Sequence, residues 1–338
     1  MSRGDERPVL VTGATGFTGG RLAEELARRG HRVRALVRSR SKAQQLEQLG
    51  IETVEGQLVR RADVERSLQG VGLVYHIAAA YREAKHPDSY YFDVNVGGTR
   101  NVLEAARAEG VLRVVHCSTA GVHGEVATIP ADEDAPLNPG DVYQESKLEG
   151  ERLALQEASK GLPVVVFRPV GIYGPGDTRF LKLFRTIASG RFRMFGSGEV
   201  LYHLTYIDDL VDGIIRCGEV PGVEGEVFLL AGPRYTTLNE LAAQVADAVG
   251  RSAPNGRLPL WPLLTAATLC EIACRPLGID PPLHRRRCDF FTKNRAFTSA
   301  KARERLGYAP SVDLATGLRR TADWYRRSGL MASPASAR

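Results

Sequence analysis

Tyr143 and Lys147 stand four residues apart in a segment that reads Asp-Val-Tyr-Gln-Glu-Ser-Lys. In a helix this spacing puts the phenol and the ammonium on one face, where the cation favours the phenolate and lowers the tyrosine pKa from about 10. Such a tyrosine can exchange protons near neutral pH. The same spacing is common on solvated helices, so the pair gains its meaning from the segments that position it.

A glycine-rich segment far upstream supplies that context. The apolar run 8–11 predicts a buried parallel strand, and apolar spacing over 21–29 predicts a helix. Glycines between them allow a tight turn, the approach of a pyrophosphate and close packing of helix on strand, and the helix N-terminus offers amides to phosphate. Together with Tyr143 and Lys147, this predicts dinucleotide-dependent redox chemistry on an alcohol or ketone. The predicted cofactor-binding residues of this segment are Gly13, Thr15, Gly16, Phe17, Thr18 and Gly19.

The end of the next predicted strand, 32–37, bears on which dinucleotide binds. An acidic residue there would bind the 2′-hydroxyl of NAD ribose, but Val37 is followed by Arg38. Arg38, with Arg40 and Lys42 near it, can bind a 2′-phosphate through charge-assisted hydrogen bonds. The sequence therefore favours NADP over NAD. The alternative is that these basic residues only solvate a loop.

Further motifs follow the glycine segment in a set order. They are YHIAA at 75–79, NVGGTRN at 95–101, CSTAGVHG at 117–124, RPVGIYGP at 168–175 and YIDDL at 206–210. With these motifs the chain resembles the extended short-chain dehydrogenase/reductase family over almost its whole length. Gln57 departs from the family pattern, in which many members have an Asp near the adenine, and this departure leaves the adenine contact open.

The resemblance implies roles for individual residues. Thr119 matches the Ser/Thr that hydrogen-bonds the substrate oxygen, and Ser118 is a neighbour that can substitute for it. Tyr143 is implied as the catalytic acid/base, and Lys147 as the residue that tunes it and holds the nicotinamide-ribose hydroxyls. Further cofactor contacts are implied at Ala78, Ala79, Ala80, Asn95, Ser118, Tyr143, Lys147, Pro169, Val170 and Gly171.

The elements that position these residues are predicted by an alternation of apolar runs and helical patterns. Runs at 73–77, 114–117 and 164–167 alternate with helical patterns at 99–108 and 147–159. This alternation predicts an α/β fold, a Rossmann-type doubly wound parallel sheet with a smaller C-terminal substrate-binding lobe. Ligands of such sheets bind at the carboxyl ends of the strands.

The predicted domain organisation follows from where the alternation stops. Residues 1–174 form the dinucleotide-binding core, which the chain re-enters near 204–217 and 227–231. Residues 175–330 mainly form the substrate-binding lobe, and 331–338 form a flexible tail. A chain of 338 residues, 43% hydrophobic and 25% charged, suits such a globular pair of units.

Composition also argues against several classes of function. The net charge of +6 is mild and spread along the chain, without a zinc-finger or RNA-binding signature, so we expect no nucleic-acid partner. Five cysteines without a Cys-x-x-Cys pair argue against a disulfide framework or a metal site. The polar N-terminus has no secretory apolar region, and a cytoplasmic location is the simplest expectation.

Gly171 bears on the substrate. Nucleotide-sugar epimerases and dehydratases of the family usually carry Asn at this place to contact the diphosphate. The motif here, with the stretch 196–209, is more similar to the 3β-hydroxysteroid and 4-carboxysterol 3-dehydrogenase branch. The leading hypothesis is a dehydrogenase of an apolar, sterol-like alcohol, including oxidative decarboxylation of a 4-carboxysterol with Arg179 or Arg193 on the carboxylate.

Two alternatives stay open. One is a nucleotide-sugar epimerase or dehydratase that keeps its dinucleotide bound, with Arg179, Arg185 or Arg193 on the diphosphate. The other is a non-catalytic dinucleotide sensor, which the intact Tyr143, Lys147 and Thr119 disfavour.

An unusually apolar segment, 258–274, is too short and interrupted to span a bilayer. Three interpretations stay open: a buried helix of the small lobe, the lining of an apolar pocket, or a peripheral membrane contact through 258–287, beside the basic run 284–287. By analogy with related enzymes, which commonly pair through the two helices that include the Tyr143/Lys147 segment, we expect a homodimer.

Overall fold

The computed structural model describes residues 7–81, 86–274, 281–283 and 285–332. Its strands are β1 Val9–Thr12, β2 Val33–Val37, β3 Glu52–Glu55, β4 Leu73–His76, β5 Arg113–Cys117, β6 Val164–Pro169, β7 Gly171–Tyr173, β8 Met194–Phe195, β9 Leu201–Tyr206, β10 Val227–Leu230, β11 Tyr235–Thr237 and β12 Arg257–Leu258. Its α-helices are α1 Phe17–Arg28, α2 Gln44–Gln48, α3 Arg61–Leu68, α4 Asp88–Phe92, α5 Gly98–Ala108, α6 Val142–Ser159, α7 Leu181–Ala188, α8 Ile207–Glu219, α9 Leu238–Val249, α10 Leu260–Cys274, α11 Arg285–Thr292, α12 Ala300–Leu306 and α13 Leu314–Arg327.

A seven-stranded sheet of order β3-β2-β1-β4-β5-β6-β10 organises the fold. All of its neighbouring strands pair in parallel. The strand order reverses beside β1, and a crevice forms at such a switch point outside the carboxyl ends of the strands. The predicted doubly wound parallel sheet is therefore confirmed.

Hydrophobic layers cover both faces of this sheet. Successive residues of a strand point to opposite faces, so Val9 and Val11 belong to the layer under α1 and α8, whereas Leu10 belongs to the layer under α3, α5 and α6. All three side chains are at most 1% exposed. Burial on both faces explains why the strands read as continuous apolar runs rather than as alternating ones.

The C-terminal part of the chain adds smaller elements around this core. One small sheet has the order β11-β9-β7 and another pairs β12 with β8, while α9 packs against α7 and α13. Residues 207–219 form α8, which packs on β5 and β6, and 227–230 form the edge strand beside β6. The division at residue 174 and the flexibility of 331–338 stay predictions; of that tail, residues 333–338 lie outside the described part.

Helix α10 corrects two interpretations of the apolar segment. Among its residues only Ala267 is buried, whereas Trp261, Leu269 and Ile272 are 70%, 60% and 64% exposed. The helix is therefore not part of a buried core. Its residues are also absent from the lining of the main cleft, so the pocket interpretation is wrong for the part of the chain that the structure describes.

Candidate active site

The glycine turn after β1 packs so closely that side chains cannot be added. Gly13 has a φ of +75°, and a Cβ there would lie 2.8 Å from the backbone of Ala78. A Cβ on Gly19 would lie 2.3 Å from the Gly13 carbonyl oxygen. No side chain caps α1 at Gly16, and the first turn of α1 contains no acidic residue. The first amides of α1 therefore suit an anionic ligand, as a dinucleotide pyrophosphate requires.

A buried hydrogen-bond chain fixes the ends of β1 and β4 beside this turn. Thr12 Oγ1 and His76 Nδ1 are 2.9 Å apart, and His76 Nε2 and Thr99 Oγ1 are 3.0 Å apart. Burial, with the nearby Lys147 cation, lowers the pKa of His76 to about 3. The imidazole is therefore neutral, and because Thr99 donates its own proton to the Asn95 carbonyl at 2.7 Å, His76 Nε2 carries the hydrogen.

Asn95 lies behind the cleft wall rather than on it. Its side chain accepts the Ala80 N–H at 2.7 Å and donates to the Ala80 carbonyl at 3.2 Å and to Ser146 Oγ at 2.9 Å. It is 2% exposed and does not line the cleft. Asn95 therefore holds Ala80, a residue of the cleft wall, against α6. The predicted contribution of Asn95 to cofactor binding is thus indirect, through the position of Ala80.

Helix α6 presents the predicted proton-transfer pair. The Asp141 carboxylate caps its N-terminus by accepting the Gln144 N–H at 2.9 Å. Tyr143 and Lys147 follow one turn apart and both line the cleft. Lys147 is 2% exposed, its Nζ donates to the Cys117 carbonyl at 2.5 Å, and burial lowers its pKa. The ammonium is thus fixed between α6 and the end of β5.

The two hydroxyls after β5 differ in their surroundings. Thr119 Oγ1 accepts the Gly121 N–H at 3.1 Å, which leaves its own proton available to the cleft. Ser118 is 2% exposed, and its Oγ has no hydrogen-bond partner among the described residues. Both residues line the cleft. Thr119 stays the predicted substrate-binding hydroxyl, with Ser118 as the alternative.

The cleft has a volume of about 920 Å³ and brings most predicted site residues together. The predicted residues on its wall are Gly13, Thr15, Gly16, Phe17, Thr18, Gly19, Arg38, Ala78, Ala79, Ala80, Ser118, Thr119, Tyr143, Lys147, Pro169, Val170 and Gly171. Among the predicted site residues only Asn95 is not on the wall. We refer to the part formed by these residues as the cofactor end.

Another part of the cleft wall, which we call the substrate end, is rich in aromatic side chains that the motifs did not reveal. Tyr81 packs edge-on against Tyr143, with ring centroids 5.1 Å apart. The residues of the substrate end come from separate loops, strands and helices and have no regular spacing along the chain. The sequence alone therefore does not indicate that they lie together. The other residues of the substrate end are His86, Tyr90, Tyr91, Val94, Arg179, Phe180, Tyr202, His203, Arg295 and Phe297.

Arg179 is the only one of the three arginines proposed for substrate binding that lines the cleft. Its guanidinium donates to Asp177 Oδ1 at 2.5 Å and lies 5.4 Å and 5.9 Å from the ring centroids of Phe17 and Tyr81. Arg185 instead donates to the Leu330 carbonyl, and Arg193 to the carbonyls of 190 and 192. The predictions that placed Arg185 or Arg193 on the substrate are therefore wrong.

Arg38 lines the cofactor end and is exposed. It forms no ion pair with any residue that the structure describes. Arg40 and Lys42 are not on the cleft wall. Gln57 is on the wall, and its backbone N–H donates to Asp63 Oδ2 at 2.9 Å. Arg38 is thus the one member of the predicted basic group that lines the cleft, and its contact with a 2′-phosphate stays a prediction.

Residues 9–231 match the NAD dependent epimerase/dehydratase family. The chain belongs to this family. It is an enzyme of the extended short-chain dehydrogenase/reductase type, as the sequence motifs implied. The structure of gox2253 is similar to this family member with a TM-score of 0.82 and 31% identity, over 96% of this chain and 99% of that one.

The proteins similar to this chain include both enzymes named for apolar substrates and one named for a nucleotide sugar. A 4-hydroxy-2-methyl-3-oxo-4-farnesyl-3,4-dihydroquinoline-1-oxide ketoreductase of Stigmatella aurantiaca is 33% identical over 92% of this chain and 94% of its own length. The 3beta-hydroxysteroid-dehydrogenase/decarboxylase isoform 1 of Arabidopsis thaliana is 32% identical over 94% and 79%. A UDP-glucose 4-epimerase of Mycolicibacterium smegmatis is 30% identical over 94% and 98%.

One similar solved structure contains NAD. MoeE5 in complex with UDP-glucose and NAD has a TM-score of 0.75 and 26% identity, over 95% of this chain and 99% of that one. Among the described residues of this chain, no group of three His, Cys, Asp or Glu side chains could hold a metal ion. None of its described helices is both long and apolar enough to cross a membrane.

Proposed function

We propose that this enzyme interconverts an alcohol and a ketone on an apolar, sterol-like substrate, with NADP as its preferred cofactor and NAD as the alternative. The observation that carries the proposal is the aromatic substrate end, which meets the predicted proton-transfer residues at Tyr143. Aromatic rings such as those of Tyr81, Phe180 and Phe297 offer broad flat surfaces that suit a rigid apolar ligand. The charged and polar groups beside them, among them Arg179 and Arg295, can orient that ligand. The farnesylated-quinoline ketoreductase and the hydroxysteroid dehydrogenase/decarboxylase among the relatives support the same substrate class.

The chain's own residues supply proton transfer and orientation. The substrate oxygen is held between the hydroxyls of Thr119 and Tyr143. In oxidation the Tyr143 phenolate takes the hydroxyl proton while the carbon gives up a hydride, and in reduction Tyr143 returns a proton to the oxygen. The fixed Lys147 ammonium favours the phenolate. A bound nicotinamide accepts or supplies the hydride.

The residues that hold the cofactor act along the cofactor end. The amides at the start of α1 bind the pyrophosphate, and Lys147 binds the nicotinamide-ribose hydroxyls. Arg38 binds the 2′-phosphate through charge-assisted hydrogen bonds, since no carboxylate follows β2 to repel it. This contact is the basis of the proposed preference for NADP.

A carboxylated substrate would add one step. Oxidation of a 3-hydroxy-4-carboxysterol gives a β-keto acid, in which the new carbonyl accepts the electron pair of the breaking C–C bond as carbon dioxide leaves. Arg179 lines the cleft and supplies a cation for the carboxylate. The same position would serve a diphosphate, which connects this residue to the second candidate.

The second candidate is a nucleotide-sugar epimerase or dehydratase, which the UDP-glucose 4-epimerase relative and the UDP-glucose complex favour. Gly171 argues against it, because the family's diphosphate-binding Asn is absent there. A Cβ at this position would lie 2.6 Å from Leu204 Cδ2, so a side chain requires Leu204 to move. The packing of Leu204 is thus compatible with glycine at this position and would have to change for asparagine.

The test is a screen of the purified enzyme with NADPH and NADH, or their oxidised forms, against cyclic ketones, sterol-like alcohols and UDP- or GDP-sugars. The proposal expects net cofactor turnover with apolar substrates only. Sugar interconversion without added cofactor would support the epimerase instead. Tight cofactor binding without turnover of any substrate would support a dinucleotide sensor.

We also propose a homodimer, by analogy with related enzymes, through a helix pair that includes α6. Light scattering of the purified enzyme tests this state. A monomer at assay concentrations would contradict it.

A further inference from the structure

Helix α10 turns its apolar residues outward. Trp261, Thr265, Leu269 and Ile272 are spaced by four, four and three residues, so they form one stripe, and all four are exposed. Trp261, Leu269 and Ile272 are the most exposed large hydrophobic residues that the structure describes. We call these three residues the apolar ridge. A surface helix normally turns its apolar stripe toward the core, so this arrangement points to a partner outside the chain.

Positive charge accompanies the apolar ridge. Residues 257–287 contain five arginines, at 257, 275, 285, 286 and 287, against two carboxylates, Glu271 and Asp280. The Glu271 carboxylate is engaged, because its Oε1 accepts the Arg285 backbone N–H at 2.7 Å. The partner of this surface is therefore apolar and bounded by negative charge, which describes a membrane interface with anionic headgroups.

Helix α10 is linked to the substrate end of the cleft through α11. Helix α10 packs on α11, whose Phe290 carbonyl accepts the Tyr202 hydroxyl at 2.7 Å. The rings of Tyr202 and Phe290 lie with centroids 5.2 Å apart, and Tyr202 lines the cleft. Helix α10 and the wall residue Tyr202 therefore contact the same helix, α11.

We propose that α10 docks this enzyme on an anionic lipid surface. The helix of 15 residues, ~22 Å long, lies in the plane of the interface with the apolar ridge between the acyl chains and the exposed Arg257 and Arg285 at the phosphates. Uptake of an apolar substrate from this lipid surface rests on the proposed function. The docking of α10 on the surface is independent of it.

A second copy of the chain is a poorer occupant of the ridge. In a two-fold contact each surface meets its own copy, so the exposed Arg257 and Arg285 that flank α10 in one protomer would meet the same positive charges of the other. Like charges placed together in this way oppose association. Anionic headgroups instead neutralise the same charges.

The experiment is cosedimentation of the full-length protein with vesicles of phosphatidylcholine alone or with about one-third phosphatidylserine, a fraction that gives a marked negative surface potential. Wild type should bind the anionic vesicles, and the double variant Trp261→Gln/Leu269→Gln should bind them at least ~10-fold more weakly, because two apolar side chains no longer enter the acyl region. The matched control, Leu49→Gln/Leu112→Gln, removes two leucines that are 50% and 47% exposed elsewhere. It should bind as wild type does.

A second readout comes from Trp261 itself. Its emission should shift to shorter wavelength when anionic vesicles are added, and Trp261→Phe should remove that shift while retaining vesicle binding. Equal binding of wild type and the ridge variant would overturn the proposal. So would a self-associated wild type that ignores vesicles and becomes monomeric in the ridge variant. Because no turnover is measured, a wrong substrate class leaves these outcomes unchanged.

Discussion

The two ends of the cleft are built in different ways. The cofactor end comes from short contiguous segments, in which backbone amides, close glycine contacts and buried polar groups do the work, as at 12–19, 117–121 and 143–147. The substrate end collects side chains from 81, 86–94, 179–180, 202–203 and 295–297. The first end therefore encodes the class of reaction locally, whereas the second encodes the substrate only through the tertiary fold.

This difference has a physical cause. A phosphate-binding turn needs particular backbone angles and clearances, and few residues satisfy them, so the same short spacing must recur wherever the turn is used. An apolar wall needs only surface of the right shape, which many combinations of aromatic and aliphatic residues provide. Substitutions at the cofactor end should accordingly have larger and more general effects than those at the substrate end.

The largest effect is expected for Tyr143→Phe. Removing the phenolic hydroxyl deletes the proton donor and acceptor but keeps the ring, so kcat should fall by about 10³-fold or more while the Kd of the cofactor changes little. Steady-state kinetics and a fluorescence titration with NADPH measure the two quantities. A kcat within tenfold of wild type would remove Tyr143 from the chemistry.

The next effect is expected for Gly19→Ala, which tests the glycine packing. The added methyl would meet the Gly13 carbonyl at 2.3 Å, so α1 must shift away from the turn. We expect a loss of about 1–3 kcal/mol in the free energy of unfolding and weaker cofactor binding. Urea denaturation and cofactor titration check this expectation.

Gly97→Ala is the matched control for that substitution, because a Cβ there has its nearest neighbour at 4.0 Å. The control should retain wild-type stability or gain slightly. If both alanine variants bind cofactor as wild type does, the close packing of the turn is not what positions the pyrophosphate.

A smaller and more selective effect is expected for Arg38→Ser. Loss of the guanidinium should raise the KM for NADPH about 10-fold and leave that for NADH nearly unchanged, since only NADPH carries the 2′-phosphate. Arg40→Ser is the control, because Arg40 is a neighbouring arginine that does not line the cleft. Equal effects of the two substitutions on both cofactors would show that this basic group only solvates a loop.

The smallest effect is expected for Arg179→Met at the substrate end. With an uncharged apolar ketone, loss of the contacts to Phe17 and Tyr81 should raise the substrate KM about 2–5-fold at similar kcat, whereas a carboxylated or diphosphate-bearing substrate should lose far more. Because the buried Asp177 loses its ion-pair partner, the variant should also be less stable than wild type. Arg185→Met, which removes an arginine outside the cleft, should leave the kinetics unchanged. A large loss with an uncharged ketone would mean that Arg179 acts on the chemistry itself.

The fold and the cofactor end were largely predictable from the sequence. The apolar runs that predicted the parallel strands are buried on both faces, and the spacing of Tyr143 and Lys147 places both on the cleft side of α6. Asn95 shows the limit of a motif. Its position was noted, but its contact with Ala80 and Ser146 depends on where α6 packs, and spacing along the chain does not contain that information.

The substrate end and α10 were less predictable, for related reasons. Tyr202 and Tyr81 become neighbours of one cleft only when distant segments fold together. The apolar segment 258–274 has the composition of a core helix, and composition does not show which face is covered. The sequence also does not distinguish Arg179 from Arg185 and Arg193. In the structure Arg185 and Arg193 donate hydrogen bonds to backbone carbonyls outside the cleft, and of the three only Arg179 lines it.

The most direct test of the account is the fate of a deuteride. Wild type and Tyr143→Phe are incubated with NADPH deuterated at C4 of the nicotinamide and a cyclic apolar ketone, and the products are analysed by mass spectrometry. The account predicts one deuterium in the alcohol formed by wild type and almost no alcohol from the variant. A wild-type enzyme that binds the cofactor but transfers no deuterium to any ketone, while it interconverts a nucleotide sugar, would contradict it.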